Sequence, residues 1–439
     1  MGDGFYLETM GCQMNVVDSE QIALLLGELG YTPRERPEDA DLIVLNTCAI
    51  REKAERKVLG HLWQFKPLRE ANPRLLIAVG GCVAQQEGEK LLEEIPHLDI
   101  VFGTQNIHRL PELLRDAREK RQRRAETAFF DEAERLTRFP ERCATGAVSR
   151  YLTIMQGCDN FCAYCVVPYV RGREVSRPAV DVLAEARALV AQGTREVTLI
   201  GQNVNSYGRK SEGEPSFAEL LTMVHDIEGL ERLRFVTSHP RDISPELVAC
   251  FATLPKLCRH IHLPLQSGAD AVLRNMGRGY TAARYLERVE QLRAACPELR
   301  LTTDIIVGFP GETESDFLET LEMVKRVRFA DAYLFRYSPR PGTKAVTLPG
   351  AVPPEVQQER FDRLLAVQDA ISREIWASDV GRTLPVLVEG ESRQGSGQLF
   401  GRSTWGRVIN FSGDAALVGR VVPVRITASY HNSQLGEPV

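Results

Sequence analysis

The sequence lacks a long apolar run. None of its stretches reaches the roughly 18 consecutive apolar residues that a bilayer-spanning helix needs. Its first nine residues also lack the basic and apolar segments of a secretory signal peptide. We therefore expect a cytoplasmic protein with no membrane partner. In that compartment, ten cysteines favour metal binding or catalysis over disulfide bonds.

The sequence also lacks an excess of basic residues. Its 54 lysines and arginines are outnumbered by 59 aspartates and glutamates, so the formal net charge is −5. Any contact with nucleic acid therefore requires a local basic patch. With 439 residues, 43% of them hydrophobic and 26% charged, the chain is long enough for two or three globular domains.

A fourth cysteine is missing from the most informative segment. Cys158, Cys162 and Cys165 follow a Cys-x3-Cys-x2-Cys pattern, and no further cysteine lies nearby. A structural zinc ion is bound by four protein ligands, which complete its coordination shell. Three thiolates on a cubic iron-sulfur cluster instead leave one iron open to a substrate or cofactor. A partial zinc site or a redox-active cysteine pair is the alternative interpretation.

Three more cysteines lie where predicted strands end in the first part of the chain. Apolar runs end at Cys12, Cys48 and Cys82, and a helical pattern follows each run. Alternating strands and helices predict a doubly wound parallel sheet, in which ligands collect at the carboxyl ends of the strands. The three thiols are therefore predicted to form one constellation. Three separately buried cysteines are the alternative.

Six further strand-like runs, with helical patterns between them, occupy residues 147 to 350. Polar or glycine-rich residues follow these runs, as at Gln202, Asn203, Ser238 and Gln266. Six repeats predict a partial (β/α)6 barrel, and the rim of a βα barrel carries its active site. A helix is predicted at 353–377.

Short β-rich runs separated by glycines fill the end of the chain and predict a small β-barrel, a shape that commonly binds oligonucleotides. One of the five runs is Ala416–Val418. Arginine can pair with phosphate through a bidentate fork. The basic residues of this module are all arginine: Arg382, Arg393, Arg402, Arg407, Arg420 and Arg425. Acidic residues nearly balance them, so charge alone leaves nucleic-acid binding open.

The predicted fold is thus α/β with three modules and one linker. The stretch 115–124 is charged throughout and has little apolar periodicity, which indicates a linker or a solvated helix. The predicted division is 1–110 for the first domain, 111–146 for the charged linker, 147–377 for the partial barrel and 378–439 for the small β-barrel.

Together the motifs resemble the radical S-adenosylmethionine (SAM) methylthiotransferases over almost the whole chain. The resemblance rests on Gly-Cys-Gln-Met-Asn at 11–15, Asn-Thr-Cys at 46–48, Gly-Cys at 81–82 and the Cys158 motif. The first segment is similar to the MiaB type, which modifies tRNA, whereas the ribosomal-protein branch more typically has Gly-Cys-Pro-Lys-Asn there. None of the six predicted ligand positions departs from the family pattern. The terminal module resembles a TRAM domain, an RNA-binding barrel.

The resemblance implies a reaction that uses two [4Fe-4S] clusters and two molecules of SAM. The enzyme would convert N6-isopentenyladenosine at position 37 of tRNA into its 2-methylthio derivative. The cluster at Cys158, Cys162 and Cys165 would generate an adenosyl radical that removes hydrogen from carbon 2. The cluster on the first module would carry the sulfur. Carbon 2 bears no acidic proton, so the step suits a radical cofactor better than acid–base chemistry.

The family also implies cofactor contacts outside the cysteines. Tyr164 would lie against the adenine of SAM, and Gln202 and Asn203 would lie near its amino group. Ser238 and Gln266 would meet its ribose or carboxylate. Each has a plain alternative: packing of the loop for Tyr164, and capping of strand ends for the others.

Several other polar residues are expected to play lesser parts. Arg171 and Arg173 would meet phosphate or substrate, or belong to a solvated face. His239, His260 and His262 are expected to be structural or supporting groups, because the six cysteines already supply both clusters.

The expected partners follow from the same resemblance. They are tRNA, a small electron donor such as flavodoxin or ferredoxin, and an iron-sulfur carrier that repairs the cluster; the enzyme is expected to be a monomer. One alternative is a methylthiotransferase of another branch, acting on threonylcarbamoyl-adenosine in tRNA or on a ribosomal protein. A second is a non-catalytic RNA-binding protein whose clusters are structural.

Overall fold

A computed structural model describes residues 3–49, 52–131, 146–392 and 397–439, without the side chains of residues 52–56. The strands are β1 (Gly4–Thr9), β2 (Thr32–Pro33), β3 (Leu42–Thr47), β4 (Leu76–Gly81), β5 (Ile100–Phe102), β6 (Arg124–Glu126), β7 (Ser149–Thr153), β8 (Met155–Gln156), β9 (Val175–Ser176), β10 (Glu196–Ile200), β11 (Arg232–Phe235), β12 (His260–His262), β13 (Arg300–Val307), β14 (Asp331–Arg336), β15 (Thr383–Glu391), β16 (Gln398–Arg402), β17 (Val408–Ser412), β18 (Val421–Ser429) and β19 (Ser433–Pro438).

The α-helices connect these strands. They are α1 (Gln13–Glu28), α2 (Glu52–Gln64), α3 (Lys66–Ala71), α4 (Cys82–Glu87), α5 (Glu89–Glu94), α6 (Leu110–Glu119), α7 (Val167–Arg171), α8 (Ala179–Ala191), α9 (Phe217–His225), α10 (Pro245–Thr253), α11 (Asp270–Asn275), α12 (Ala282–Ala295), α13 (Glu314–Val327) and α14 (Pro354–Ala377). Within the described ranges, no helix is both long and apolar enough to cross a bilayer.

The first sheet is doubly wound, as predicted. Its strands lie in the order β2-β1-β3-β4-β5-β6 and all pair in parallel. Along β3, Leu42 and Val44 enter one hydrophobic core and Ile43 and Leu45 enter the other. Because both faces are covered, the strand is apolar throughout rather than alternating.

The structure differs from the predicted linker over residues 110–126. Helix α6 buries Leu113, Leu114 and Ala117 against the sheet, and β6 extends the sheet by pairing with β5. The apolar face of α6 is narrow, and the charged residues around it obscure the helical period in the sequence. Residues 132–145 of the predicted linker lie outside the described residues, and the domain boundaries stay predictions.

The middle of the chain forms the predicted partial barrel. Strands β7, β10 and β11 are parallel neighbours, as are β12, β13 and β14. A parallel bridge between Leu233 and Leu257 links the two groups, so the six strands follow one another in chain order. The helices of the partial barrel form because apolar residues recur along them at helical spacing. In α8, for example, the buried residues include Val182, Ala186 and Leu189.

The terminal module is a closed barrel in the order β15-β16-β17-β19-β18. The predicted strand at Ala416–Val418 is wrong: Ala415–Leu417 is a 3-10 helix, and the Asp414 side chain accepts a hydrogen bond from the Ala416 N–H at 2.8 Å. The fifth strand is β19, whose sequence Ser-Gln-Leu-Gly-Glu-Pro carries no clear apolar alternation. Its pairing with β17 and β18 is therefore a tertiary effect.

The terminal barrel is anchored to the partial barrel by buried arginine. Arg300 on β13 donates two hydrogen bonds to Asp379, at 2.6 and 2.8 Å. Its guanidinium carbon lies 4.4 Å from the ring centroid of Trp376 and 3.8 Å from that of Trp405. Arg232 donates to the carbonyl oxygens of Pro385 and Arg402. These contacts attach the terminal barrel to the middle module.

Candidate iron-sulfur and cofactor site

The structure brings the first cysteine set together at one edge of the parallel sheet. Cys12 caps α1, Cys48 follows β3, and Cys82 begins α4 directly after β4. A hydrogen bond from the Cys48 thiol lowers the pKa of Cys12 to about 6, against the raising effect of burial. Burial raises the pKa of Cys82, which also feels the charge of Cys12. The three thiols therefore form one constellation.

Glycine allows the strand ends to approach so closely. Gly81 has φ +91°, and a Cβ there would collide with the Thr47 carbonyl oxygen. A Cβ at Gly11 would lie 2.8 Å from the Cβ of Cys48. A larger residue at either position would separate the loops that carry the cysteines.

Two asparagines fix the loop around Cys12. The Asn15 Oδ1 atom accepts hydrogen bonds from the Cys12 backbone N–H at 3.3 Å and from its thiol at 3.4 Å. The Asn15 amide donates to the Thr47 carbonyl at 3.0 Å, and the Asn46 amide donates back to the Asn15 carbonyl at 2.8 Å. Both amides are fully buried, so the network sets the position of Cys12 relative to β3.

Arg171 reaches this set from the middle module. It ends α7, which begins directly after the Cys158 motif, and it donates to Asp18 at 2.7 Å. Both side chains of this ion pair are only 4% exposed, which excludes the solvated face considered for Arg171. Its positive charge lowers the pKa of Cys12 and partly offsets the effect of burial on Cys82. Arg173 does lie at the surface, paired with Asp159 at 2.8 Å.

The second cysteine set lies in one buried loop. The Cys158 N–H donates to the Gly172 carbonyl at 3.2 Å, and the Cys165 N–H donates to the Cys162 carbonyl at 2.9 Å. Burial raises the pKa of Cys158 to about 11 and that of Cys165 to about 12, and repulsion from Cys162 adds to both. Because Cys162 acts on both Cys158 and Cys165, the loop gathers all three thiols.

Arg278 stands beside this second set. Its guanidinium donates to the Cys162 sulfur at 3.3 Å, to the Pro264 carbonyl at 3.2 Å and to the Tyr280 hydroxyl at 3.2 Å. Arg278 is absent from the site residues predicted from the sequence. Sequence patterns do not indicate its contact with Cys162, because 116 residues separate the two positions along the chain.

Each set thus combines three thiols with one buried guanidinium. Among the described residues, no group of three or more His, Cys, Asp or Glu side chains is spaced to hold a metal ion. Thiolates around a four-iron cluster bind different irons, so they stand farther apart than the ligands of a single ion. A cluster with three thiolates is anionic, and a buried charge needs a partner such as Arg171 or Arg278. The residues present fit iron-sulfur clusters.

The predicted SAM-binding residues gather around the mouth of the partial barrel. Gln202 accepts a hydrogen bond from the Gly157 N–H at 2.6 Å, directly before the cysteine loop. Asn203 donates to Asp242 at 2.9 Å. Gln266 has φ +70°, a strained backbone conformation for a non-glycine residue. In the described part of the chain, buried Ser238 Oγ, Gln266 Oε1 and Asn203 Oδ1 have no hydrogen-bond partner.

Tyr164 and His239 complete this rim. The Tyr164 ring packs beside a small cluster that includes Ala163 and Phe309. The His239 Nδ1 atom accepts from the Arg241 N–H at 3.2 Å, so its buried Nε2 atom carries the proton. Burial, together with nearby arginines, lowers the pKa of His239 far below its usual value and keeps the ring neutral. His260 and His262 instead hydrogen-bond to the Thr302 hydroxyl, in agreement with a structural role.

The two cysteine sets meet at the same end of the partial barrel. Met14 packs with Ile200 at the end of β10, and Cys12, Tyr151 of β7 and Val236, which follows β11, pack against the same cluster. Arg150 adds an ion pair to Glu20 at 2.8 Å. The first sheet therefore places its cysteines at the mouth of the barrel, where the second set also lies.

Comparison with known families divides the chain into three matched regions. Residues 4–103 match the uncharacterized protein family UPF0004, residues 152–324 match the radical SAM superfamily, and residues 377–439 match the TRAM domain. The first match covers β1 to β5 of the first sheet but not β6, the second covers most of the partial barrel but ends before β14, and the third contains the closed terminal barrel.

Curated relatives are similar over nearly the full length. The chain is 60% identical over 435 residues to the tRNA-2-methylthio-N(6)-dimethylallyladenosine synthase of Syntrophotalea carbinolica, covering 99% of both chains. It is 57% identical over 434 residues to the synthase of the same name from Geobacter sulfurreducens, covering 99% of this chain and 97% of that one.

Solved structures share the fold at low sequence identity. The radical SAM methyltransferase TsrM of Kitasatospora setae aligns with a TM-score of 0.58 and 15% identity, covering 89% of this chain and 79% of that one. The cobalamin-dependent enzyme OxsB aligns with a TM-score of 0.52 and 12% identity, covering 84% and 56% respectively. These likenesses support the arrangement of a first sheet on a partial barrel.

Proposed function

Because the chain belongs to the family of tRNA-2-methylthio-N(6)-dimethylallyladenosine synthases, we propose that it adds a methylthio group to carbon 2 of N6-isopentenyladenosine at position 37 of tRNA. The observation that carries the proposal is the meeting of two three-cysteine sets at one barrel mouth. Helix α7 connects them directly: it begins after Cys165 and ends at Arg171, beside Cys12 and Cys82.

The proposed cofactors are two [4Fe-4S] clusters and SAM. Cys158, Cys162 and Cys165 would hold one cluster, and Cys12, Cys48 and Cys82 the other. A solved TsrM structure of the same fold contains a [4Fe-4S] cluster. When bound, the clusters supply the electron that cleaves SAM and the sulfur that is transferred. The protein's own task is to hold these groups and the adenine together and to exclude water.

Different residues at the barrel mouth would perform different parts of this task. Ser238, Gln266 and Asn203 have buried polar atoms without partners and follow strands of the partial barrel, and SAM would offer amino, carboxylate and hydroxyl groups for them to bind. His239 is fixed as a neutral N–H donor at the same rim. Arg278 balances the negative charge at Cys162. Arg171 does the same at the first set while joining the two modules.

The terminal barrel contributes fewer phosphate contacts than its arginine content suggests. Arg382 pairs with Glu298 at 2.9 Å, Arg402 with Glu389, and Arg425 with Glu437 at 3.0 Å. Arg407 donates to the carbonyl oxygens of Tyr430 and His431. Arg420 is exposed, and Arg393 lies outside the described residues. The barrel therefore shares RNA binding with other surfaces.

The remaining proposed partners concern supply and repair. A small electron donor such as flavodoxin or ferredoxin would reduce the cluster, and an iron-sulfur carrier would restore sulfur used in each turnover. We also propose that the protein is a cytoplasmic monomer.

Nucleoside mass spectrometry of tRNA tests the proposed function. A strain that lacks the endogenous synthase should accumulate isopentenyladenosine, and expression of this chain should convert it to the 2-methylthio form. If isopentenyladenosine persists, the proposal is wrong. A methylthio group on threonylcarbamoyl-adenosine or on a ribosomal protein would instead establish the alternative branch.

A further inference from the structure

An exposed aromatic residue stands inside the buried cysteine loop. Phe161 directly precedes Cys162, yet its side chain is 42% exposed. Its φ of +45° lies in the left-handed region, where a bulky side chain is uncommon. The loop therefore holds an apolar ring toward solvent at a conformational cost. Such outliers persist where the surrounding structure imposes them, often at binding sites.

A second aromatic residue and an arginine extend this exposed ring into a surface. Tyr169 on α7 is 48% exposed, and its ring meets Phe161 edge to face at a centroid distance of 6.2 Å. The guanidinium carbon of Arg173 lies 5.0 Å from the Phe161 ring centroid, and this side chain is 70% exposed. The group combines apolar faces with positive charge.

More basic residues surround the aromatic pair. Lys210 pairs with Asp159, Arg209 pairs with Asp242, and Arg241 bonds to both Asn160 and Asp242. The three cationic side chains are about half exposed, whereas Asp242 is almost completely buried. The exposed ends of these ion pairs are therefore cationic. We call the set the loop surface; it consists of Phe161, Tyr169, Arg173, Arg209, Lys210 and Arg241.

The loop surface adjoins the second cysteine set and is linked to the first through α7. Phe161 belongs to the second set's own loop, and Tyr169 lies on α7 two residues before Arg171, which lies beside Cys82 of the first set. A cavity of about 690 Å3 opens beside it, and its lining combines Phe129, Arg173 and Lys210 with the acidic side chains of Asp131, Asp159 and Glu174. A nucleoside that reaches the barrel mouth would carry its neighbouring nucleotides across this region.

We propose that the loop surface binds the unpaired nucleotides of the RNA substrate, with one base stacked on Phe161 and adjoining phosphates on Arg173 and Arg241. This inference rests on the proposed function. Proteins bind single-stranded RNA by stacking splayed bases on aromatic rings beside arginines that contact the backbone. Aromatic rings interleaved with cations match that chemistry. An acidic protein partner would use the cations but has no comparable need for two exposed rings.

A binding titration with the cluster-loaded enzyme tests the inference. The probe is a fluorescent anticodon stem-loop RNA that carries isopentenyladenosine. Phe161→Leu should weaken binding at least about fivefold without changing the salt dependence, because stacking releases no counterions. Phe161→Trp should restore binding. Arg173→Gln should lower the slope of log affinity against log salt by about 0.7, as expected for one phosphate contact with a single strand.

Trp63→Leu is the matched control. Trp63 is 47% exposed and has Lys66 above its ring at 5.8 Å, so it offers similar chemistry on another face of the molecule. This variant should bind the RNA like the wild type. A loss equal to that of Phe161→Leu would show that any exposed aromatic residue contributes, and would overturn the assignment.

Removing bases from the RNA tests stacking directly. Abasic substitutions are placed one at a time at successive positions of the RNA loop. Loss of one particular base should weaken binding by the wild-type enzyme but should weaken binding by the Phe161→Leu variant very little further. Independent, additive losses at every position would contradict stacking on Phe161. Iron content and SAM cleavage without RNA show whether the cysteine loop is intact. If the Phe161→Leu variant loses iron, two variants outside the cysteine motif replace it in the same titration: Tyr169→Leu and Arg173→Gln. The same binding criteria then decide whether the loop surface binds the RNA.

The inference and the proposed function can fail separately. If the wild-type enzyme forms no methylthio product, the proposed function is wrong. If it forms the product while the variants of the loop surface bind RNA normally, only the inference is wrong. Normal RNA binding with slower reduction by flavodoxin would assign the surface to the electron donor and likewise overturn the inference.

Discussion

The two cysteine sets provide similar ligands by different structural routes. Cys12, Cys48 and Cys82 come from three strand ends, so they meet only when the whole parallel sheet has formed. The second set shares one short loop, and Arg278 supports it from the far half of the barrel. The first site therefore depends on the sheet, whereas the second depends on a loop and one long-range contact.

The two cysteine sets also differ in the pKa values of their thiols. A hydrogen bond from Cys48, aided by Arg171, lowers the pKa of Cys12 to about 6. In the second set, burial raises the pKa of Cys158 to about 11 and that of Cys165 to about 12. The first set already favours a thiolate at neutral pH without metal. The thiols of Cys158 and Cys165 need coordination to iron to ionise fully.

The largest expected effect follows from removing the second set. Replacement of Cys158, Cys162 and Cys165 by alanine should abolish SAM cleavage and lower the iron content of reconstituted protein by about half. Iron analysis and chromatography of 5′-deoxyadenosine measure these effects. Complete loss of iron would show that the first set cannot load independently, and unchanged iron would show that these cysteines hold no cluster.

Breaking the buried ion pair between Arg171 and Asp18 should damage the first cysteine site more than the second. Arg171→Met leaves Asp18 charged and buried without its partner, which typically costs about 3–5 kcal/mol. Chemical denaturation measures this loss. Arg173→Gln serves as the control, because its exposed ion pair contributes about 1 kcal/mol or less. Equal destabilisation by the two variants would contradict a joining role for Arg171.

Alkylation of metal-free protein should reveal the pKa difference. A thiol reacts as its thiolate, which predominates above the pKa. At pH 7, Cys12 should therefore react much faster than Cys158 or Cys165, by about 100-fold or more, and its labelling should decline as the pH falls below 6. Peptide mass spectrometry after iodoacetamide treatment measures the rates. Similar rates at pH 7 would remove the electrostatic distinction between the sites.

Much of the fold was predictable because local patterns agree with it. The helix predicted at 353–377 is α14, Pro354–Ala377, and the six strand-like runs predicted between residues 147 and 350 form the partial barrel. The errors have physical causes. Strand β19 is polar and forms only because β17 and β18 leave a position for it, and charge conceals the apolar face of α6.

The candidate site was predictable only where its chemistry is concentrated in motifs. The spacing of Cys158, Cys162 and Cys165, and the strand-end positions of the other cysteines, predicted the two constellations that the structure brings together; their metal-binding role stays a prediction. The supporting charges could not be found in this way. Arg171 and Asp18 are separated by 153 residues, so their pairing depends on how two modules pack.

The most direct test of two sites with separate roles uses the first set. In a Cys12, Cys48 and Cys82 triple alanine variant, one assay with isopentenyladenosine-containing tRNA measures 5′-deoxyadenosine and the methylthio nucleoside together. We predict that SAM cleavage continues while no methylthio nucleoside forms. Formation of the methylthio nucleoside at the wild-type rate would contradict the assignment of sulfur transfer to the first module.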